Sequence, residues 1–498
     1  MKKSIRIYAL ILSLMTLLGI FASCAEAGEG TTTTGSTLTN APGESGDATT
    51  VAPDTLYEED DLEDKYEFNE TITIYLWSDY RMREFYAEES GDVIDDAIYH
   101  RNIAVADRLG ITFEYVEEPG EDSVYKTWVQ KAENDWQADN DYDIYAGYSR
   151  AVPVLSLKGM TTNLLEHESF SVEKAWWPEA LTTECTINNK LFFCSGDIAT
   201  SLLWYMDGIM YNKELYESYL GSDSNPMDMV EADNWTIDVF FTLIKDIYTD
   251  DGNATKDQND FFGASLYSTD IDAFQIGAGI TSLEKNADGE LQISESWNSE
   301  RCADVCELVG NYVASEGVYA ATSKSRTVFY NQQSIFHLDR IFIIPGTDTS
   351  EGSNVDFAYG IVPVPKADKT QENFKTNLGN PFTMYAVNSK TKILDAAVTT
   401  LEAMGSANHR TVTPAVFEVA MKVRYTDDPQ AGRMFDIMRE GISFDLGRLY
   451  AYQFGSTTAA LFRNTATSGN PSGFLTSLGR SIRVLEKSIG TIMDAYND

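Results

Sequence analysis

The most regular hydrophobic pattern lies between residues 70 and 150. Ile72-Thr73-Ile74-Tyr75-Leu76-Trp77 is a near-continuous run of apolar and β-branched residues, which suits a strand buried on both faces of a parallel sheet. From Val93 to Leu109 the apolar residues Ile94, Ala97, Ile98, Val105 and Leu109 fall on one helical face, and Gly110 follows as a stop. Ile111 to Val116 reads as a second strand, Val124 to Ala138 as a second helix, and Tyr142 to Ala146 as a third strand. This β-α-β-α-β order predicts a parallel α/β lobe with its ligand at the loops after the strands' C-terminal ends.

Further along, Asn188-Asn189 marks a tight turn within Thr186 to Phe193. Leu202 to Tyr211 reads as extended, and Lys213 to Tyr219 as a helix start. Asn234-Trp235-Thr236 precedes a helix over Ile237 to Tyr248, and Glu300 to Ser315 is amphipathic. Ser334 to Leu338, Phe357 to Val364 and Phe382 to Val387 are later strands. No internal repeat is present.

The N-terminus reads as an address. Lys2, Lys3 and Arg6 precede an uncharged apolar run from Ile7 to Ile20, the right length for a signal peptide and short for a membrane span. Ala22-Ser23-Cys24 then resembles a bacterial lipobox, with Phe21 where Leu is usual, so Cys24 is the expected lipidation site and 1–23 the removed signal. Half of residues 25–54 are Thr, Gly or Ser, and residues 57–70 are rich in acids. The stretch 24–68 is therefore expected to be a solvated, flexible acidic tether.

Charge narrows the partners. The 498-residue chain has 77 acidic and 37 basic side chains, a formal net charge of −40. Nucleic acid and an anionic membrane surface are poor partners for such a chain, and membrane contact is expected through the lipid alone. No G-x-S-x-G, H-E-x-x-H, C-x-x-C or phosphate-loop motif occurs, so no catalytic residue is assigned and an enzyme is not expected. No cofactor or metal is expected either. Residues 250–260 have a calcium-loop flavour, but Gly252 and Ala254 stand where oxygen ligands belong, and a polar turn is the expectation. Cys302, Cys306, Val309 and Val313 form one helical stripe. Cys185 and Cys194 flank the Asn188-Asn189 turn, and register decides whether they bridge.

Several segments together resemble the extracellular, family 1 type solute-binding lipoproteins of carbohydrate ABC transporters. These are the strand ending in Leu76-Trp77, then Tyr142-Asp143-Ile144 with Ala146-Gly147-Tyr148, and Thr186 to Phe192, similar to the family's "ingKly" hairpin. Tyr211-Asn212-Lys213-Glu214-Leu215-Tyr216 is similar to its "YNKdLf" motif, Asn234-Trp235-Thr236 to its "TWdE" helix start, and Tyr359-Gly360-Ile361-Val362-Pro363 to its "ygv-plP" crossover. The resemblance runs through most of residues 70–498. It implies an α/β, two-lobe periplasmic-binding-protein-like fold of type II, with parallel-type sheets flanked by helices and a hinge between lobes. Lobe 1 is expected to be 69–198 and 361–407, and lobe 2 to be 199–360 and 408–498, with crossings near Asp197–Ser201, Ile361–Pro363 and Ser406–Arg410. It also implies a monomer that closes on a mono- or oligosaccharide and passes it to an ABC transporter permease.

A sugar pocket needs stacking rings beside hydrogen-bonding groups. The strand-end rule and the resemblance together point to Trp77, Asp79, Tyr80, Tyr148, Ser149, Asp197, Trp204, Tyr267, Asp339, Arg340, Asn380 and Phe382. Trp77 and Trp204 are expected on the cleft floor. Each aromatic here is also a natural core residue, and each Asp a natural turn or cap residue. The same fold binding a polyamine or peptide, a secreted glycan-active enzyme, and a sensory receptor are the alternatives.

Overall fold

Among the described residues, twelve strands form two principal sheets and one small ribbon. The computed structural model describes residues 58–79, 84–139, 142–223, 225–322, 324–343, 357–417 and 429–497. Cys24, the signal segment and Tyr80 lie outside them.

The first sheet contains β1 (Glu70–Trp77), β2 (Ile111–Glu118), β3 (Ile144–Tyr148) and β12 (Thr383–Val387), in the order β12-β3-β1-β2. β1 runs parallel to β2 and β3, while β12 returns antiparallel to β3 with Thr383 opposite Tyr148. All of β3 is buried, as is β1 from Ile72 onward, which is why these strands lack polar alternation. Helix Val93–Leu109 starts where the Asp92 side chain accepts from the N–H groups of Ile94 and Asp95, at 3.0 and 3.1 Å. It ends at Gly110, whose φ of +65° is left-handed. Arg101 sits within its buried stripe, satisfied by Asn408 Oδ1 and the Glu84 carbonyl, each at 2.6 Å.

The second sheet contains β4 (Asp207–Asn212), β5 (Tyr248–Thr249), β6 (Phe261–Tyr267), β9 (Val318–Ala321), β10 (Ser334–Arg340) and β11 (Tyr359–Pro363). Its order is β11-β4-β10-β6-β5, with β9 also pairing β6. β10 and β9 are parallel to β6, and β4 is antiparallel to both β10 and β11. β7 (Leu283–Lys285) and β8 (Leu291–Ile293) form the ribbon.

Between the sheets the chain runs through neighbouring crossing segments. Cys194 pairs with Tyr385, Met206 with Leu378, and Thr376 with Ile442. These contacts move two expected crossings. Ile361–Pro363 pair wholly with β4, so the return to the first sheet lies after Pro363. Ser406–Arg410 are the last turn of helix Leu394–Arg410, where buried Ser406 donates to Asp60 Oδ2 at 2.5 Å.

Two further expectations are corrected. Leu202 to Tyr211 is not extended throughout, since Thr200–Trp204 is a short helix before β4. An apolar run of that length does not distinguish a strand from a buried helix turn. Residues 58–68 are docked on the globular part while most stay exposed: Arg108 pairs with Asp60 at 2.7 Å, Lys174 with Asp61 at 3.0 Å, and the Tyr66 N–H bonds the Arg108 carbonyl at 2.7 Å. Here acids meet specific cations, which composition does not reveal. Cys185 and Cys194 are both buried free thiols. The Cys302–Cys306–Val309 stripe is buried as expected.

Candidate functional site

β10 ends in Asp339-Arg340, opposite Gly208 and Asp207 of antiparallel β4. Arg326, on helix Lys324–Tyr330, grips both oxygens of Asp339, at 2.6 Å from Nε to Oδ2 and 3.2 Å from Nη2 to Oδ1. Arg340 Nε lies 3.4 Å from Asp339 Oδ1 and 3.3 Å from Asp270 Oδ2. The two guanidiniums also cover aromatic faces. Arg326 lies 4.4 Å from the Tyr267 ring centre and 4.8 Å from that of Phe342. Arg340 lies 4.9 Å from Tyr267, 5.3 Å from Phe342 and 5.7 Å from Tyr205. Beside them Asp272 is shared by Arg463 and by Arg448, whose Nη1 is 3.3 Å away.

Burial and charge act against each other at these carboxylates. Burial raises Asp339, but the His337 hydrogen bond and the Arg340 and Arg326 charges hold it below the ordinary value. Burial pushes Asp270 up to about 7. Asp207 is driven well up by burial and by the Asp270 charge. Arg340 is raised, because Asp270, Asp339 and Asp207 outweigh its own desolvation.

The other half of the site follows β3. Ser149 Oγ donates to the Asn380 carbonyl at 2.5 Å, and Asn380 Oδ1 accepts from Arg448 Nη2 at 3.3 Å. Asn377 Nδ2 donates to Asp207 Oδ2 at 2.5 Å. Ser149, Asn377, Asn380, Phe382, Phe444 and Arg448 line a residual cavity of about 10 Å³, the room of about one water.

A larger cavity, about 950 Å³, lies elsewhere, lined by Trp177, Glu184, Asp197, Lys375, His409 and Arg439 among others. We place the candidate site at the strand ends nevertheless. There side chains from both sheets converge, and open α/β sheets present their loops and ligands at the carboxyl ends of strands.

The expected residues divide between these places. Tyr148, Ser149, Tyr267, Asp339, Arg340, Asn380 and Phe382 come together at the strand ends. Trp77 is fully buried, its indole N–H donates to Thr383 Oγ1 at 2.9 Å, and it meets Tyr148 edge-on at 5.6 Å. Trp204 is also buried, at 6% exposure. The exposed Asp79 carboxylate accepts from the N–H groups of Gly120 and Glu121, at 2.6 and 3.0 Å, a turn role. Asp197 lines the large cavity instead, held by His409 Nδ1 at 2.6 Å and Arg439 Nη2 at 2.7 Å. Sequence reasoning missed Arg150, Tyr205, Asp207, Asp272, Arg326, Phe342, Asn377 and Arg448. Position just after a strand was the available signal for Arg150; the others carried none.

In the acidic loop, Asp251, Asp257 and Asp260 each bring one carboxylate oxygen within 4.8 Å of the others. Asp260 is already engaged by Tyr248 Oη at 3.0 Å and by the N–H groups of Asp251 and Asp257 at 2.9 and 3.0 Å. Among the described residues no helix is long and apolar enough to cross a membrane.

No family model matches the sequence, and no curated protein matches it significantly. Solved structures do resemble the fold. An ABC substrate-binding protein from Listeria monocytogenes, in complex with cycloalternan, is 14% identical with a TM-score of 0.53, over 84% of this chain and 99% of that one. The GacH receptor of Streptomyces glaucescens, described unliganded and with acarbose, is 14% identical with a TM-score of 0.53, over 84% and 98%. The galacto-N-biose-/lacto-N-biose I-binding protein of the ABC transporter from Bifidobacterium longum, in complex with lacto-N-biose, is 13% identical with a TM-score of 0.53, over 87% and 99%. The mixed α/β architecture of this chain is the type II fold of solute-binding proteins.

Proposed function

We propose that the protein is an extracytoplasmic solute-binding protein, anchored through a lipid on Cys24, that captures a mono- or oligosaccharide and delivers it to an ABC importer. It is not an enzyme in this reading. The lobes follow the two sheets, and solute binding draws them together about the crossing segments. The observation that supports this most is the contact between the two halves at the strand ends, where Arg448, paired with Asp272 beside the second sheet, reaches Asn380, itself joined to Ser149 at the end of the first sheet. A ligand held between two such half-sites gains all its contacts only in the closed form, the form a permease can recognise.

Likeness of fold to carbohydrate-binding proteins favours a saccharide. The test is a thermal-shift and calorimetric screen of mono- and oligosaccharides, with polyamines and peptides alongside. A saccharide that raises the melting temperature and makes the molecule more compact in solution supports capture by closure. Binding of a polyamine or peptide alone replaces the solute class. Turnover of a glycan overturns the reading.

A further inference from the structure

Arg150 follows Ser149 directly at the end of β3 and is only 9% exposed. Its Nε is buried with no hydrogen-bond partner. Its nearest carboxylate, Asp122, is 3.8 Å away, 63% exposed, and already accepts from Tyr452 Oη at 2.7 Å. Arg448, which lines the residual cavity with Ser149 and Asn380, acts on it as a like charge. A buried guanidinium so poorly compensated is costly to the fold, and native structures keep such groups where something else satisfies them.

The surroundings point the same way. A chain with a net charge of −40 gathers Arg326, Arg340, Arg448 and Arg463 around the carboxylates of the strand ends, with Arg150 next to Arg448. Five buried carboxylates face them, Asp207, Asp270, Asp272, Asp339 and Asp445. Asp339, Asp270 and Asp272 are committed to arginine pairs. Asp207 and Asp445 are pushed by burial toward the neutral form. Arg326 and Arg340 occupy the faces of Tyr267 and Phe342, so these rings are covered by cations.

We infer that the solute is a saccharide carrying an anionic group, a carboxylate, sulfate or phosphate, and that Arg150 with Arg448 receives that group beside Ser149 and Asn380. This rests on the solute-binding reading above and adds the ligand's charge to it. The planar guanidinium suits all three anions, since each offers paired oxygens at its fork spacing. A bound anion supplies the partner that Arg150 lacks.

Calorimetry on the whole secreted protein tests this with acidic sugars and their neutral counterparts: galacturonate- and glucuronate-bearing oligosaccharides, sulfated sugars and sugar phosphates. One acidic class binds at least about tenfold tighter than its neutral counterpart, and the class that does so identifies the anion. Arg150→Gln removes most of that preference, Arg150→Lys restores part of it, and neither lowers the melting temperature of the unliganded protein. A neutral sugar that binds as tightly as its acidic counterpart overturns the inference and leaves the solute-binding reading intact. So does an Arg150→Gln protein that melts earlier with its preference unchanged, because Arg150 is then structural. Failure of every acidic and neutral saccharide to bind removes both readings.

Discussion

Tyr125 and Tyr452 stack face to face, with ring centres 3.5 Å apart and planes 6° from parallel. Tyr125 opens the helix Tyr125–Ala138 that flanks the first sheet. Tyr452 lies in the turn before helix Thr457–Ala466, which packs on helix Glu300–Val313 beside the second sheet. The pair therefore bridges the two halves next to Asp122 and Arg150, and the Tyr452 hydroxyl adds its bond to Asp122.

Tyr452→Ala is expected to loosen closure. Losing a stacked pair and a hydrogen bond to a carboxylate removes about 1–3 kcal/mol from the closed form. Ligand affinity falls by about tenfold or more, mainly through faster release. Tyr452→Phe keeps the stack and loses less. Stopped-flow release rates decide the matter, and an unchanged rate in Tyr452→Ala means the stack does not hold the closed form.

Asp339 is the anchor of the second-sheet half. Its removal in Asp339→Ala leaves Arg326 and Arg340 facing each other with one partner fewer. Breaking a buried pair in this way costs about 3–5 kcal/mol. Denaturant unfolding is expected to show that loss, with Arg326→Met, which removes a charge and keeps a stem, costing less. Equal and small losses in both variants would refute the anchoring role.

Stability is expected to fall between about pH 5 and pH 7.5. Burial pushes Glu184 and Glu402 up to about 7, from an ordinary value of 4.5. Glu402 accepts from Trp177 Nε1 at 2.9 Å, while its Oε1 is buried without a partner. For these two groups the folded protein holds protons that the unfolded chain has released. Their contribution is complete below about pH 4.5 and is lost as pH rises through about 7. Each is worth at most about 3 kcal/mol, at about 1.4 kcal/mol per pH unit. Asp339 has the opposite sign, since its stabilisation holds at neutral pH and is lost as pH falls through its lowered value. Melting curves across this range check the slope. Glu402→Gln flattens it, and a slope equal to that of the parent protein would show that Glu402 is not its source.

Local signals made the frame legible. Gly110 marks the end of its helix in the sequence as in the structure. Asn188 and Asn189 both take positive φ, 50° and 56°, as a tight two-residue turn requires. Thr236 caps helix Ile237–Ile244 as its position suggested. The charge cluster was not legible, for a physical reason. Arg150, Arg326, Arg340 and Arg448 come from four separated segments, and an isolated arginine near an apolar run looks like any surface cation. Asp339-Arg340 was visible as a doublet. As neighbours they do pair, at 3.4 Å, but the closer partner of Asp339 is Arg326, which only the fold brings near.

Anchoring is tested separately from the site. Ala22-Ser23-Cys24 follows a signal-like apolar run. Cys24→Ser is expected to leave the protein unprocessed or to release it from membranes into the medium. Normal processing and full membrane retention of that variant would remove the lipid anchor from the proposal while leaving the cleft untouched.

Trp77 decides whether an aromatic floor exists beneath the ligand. Its position at the end of β1 favours a stacking role, whereas its complete burial and its bond to Thr383 favour a core role. A core tryptophan changed to alanine leaves a cavity and costs about 3–5 kcal/mol. Trp77→Ala alone is ambiguous, because a misfolded protein binds nothing. Trp77→Phe separates the cases: it keeps most of the ring's area and loses the N–H donated to Thr383. A core residue predicts a stability loss of about 1–3 kcal/mol from that unsatisfied, tightly packed position, with affinity for the identified solute unchanged. A stacking residue predicts the reverse, with affinity lowered and melting nearly intact. Thermal melts and calorimetry on the same preparation read both quantities. Since the indole nitrogen is already committed to Thr383 and the ring is covered on every side, the expected result is the loss of stability. A loss of affinity of about tenfold at parental stability would instead mean that the lobes part widely enough to bare Trp77 to the ligand.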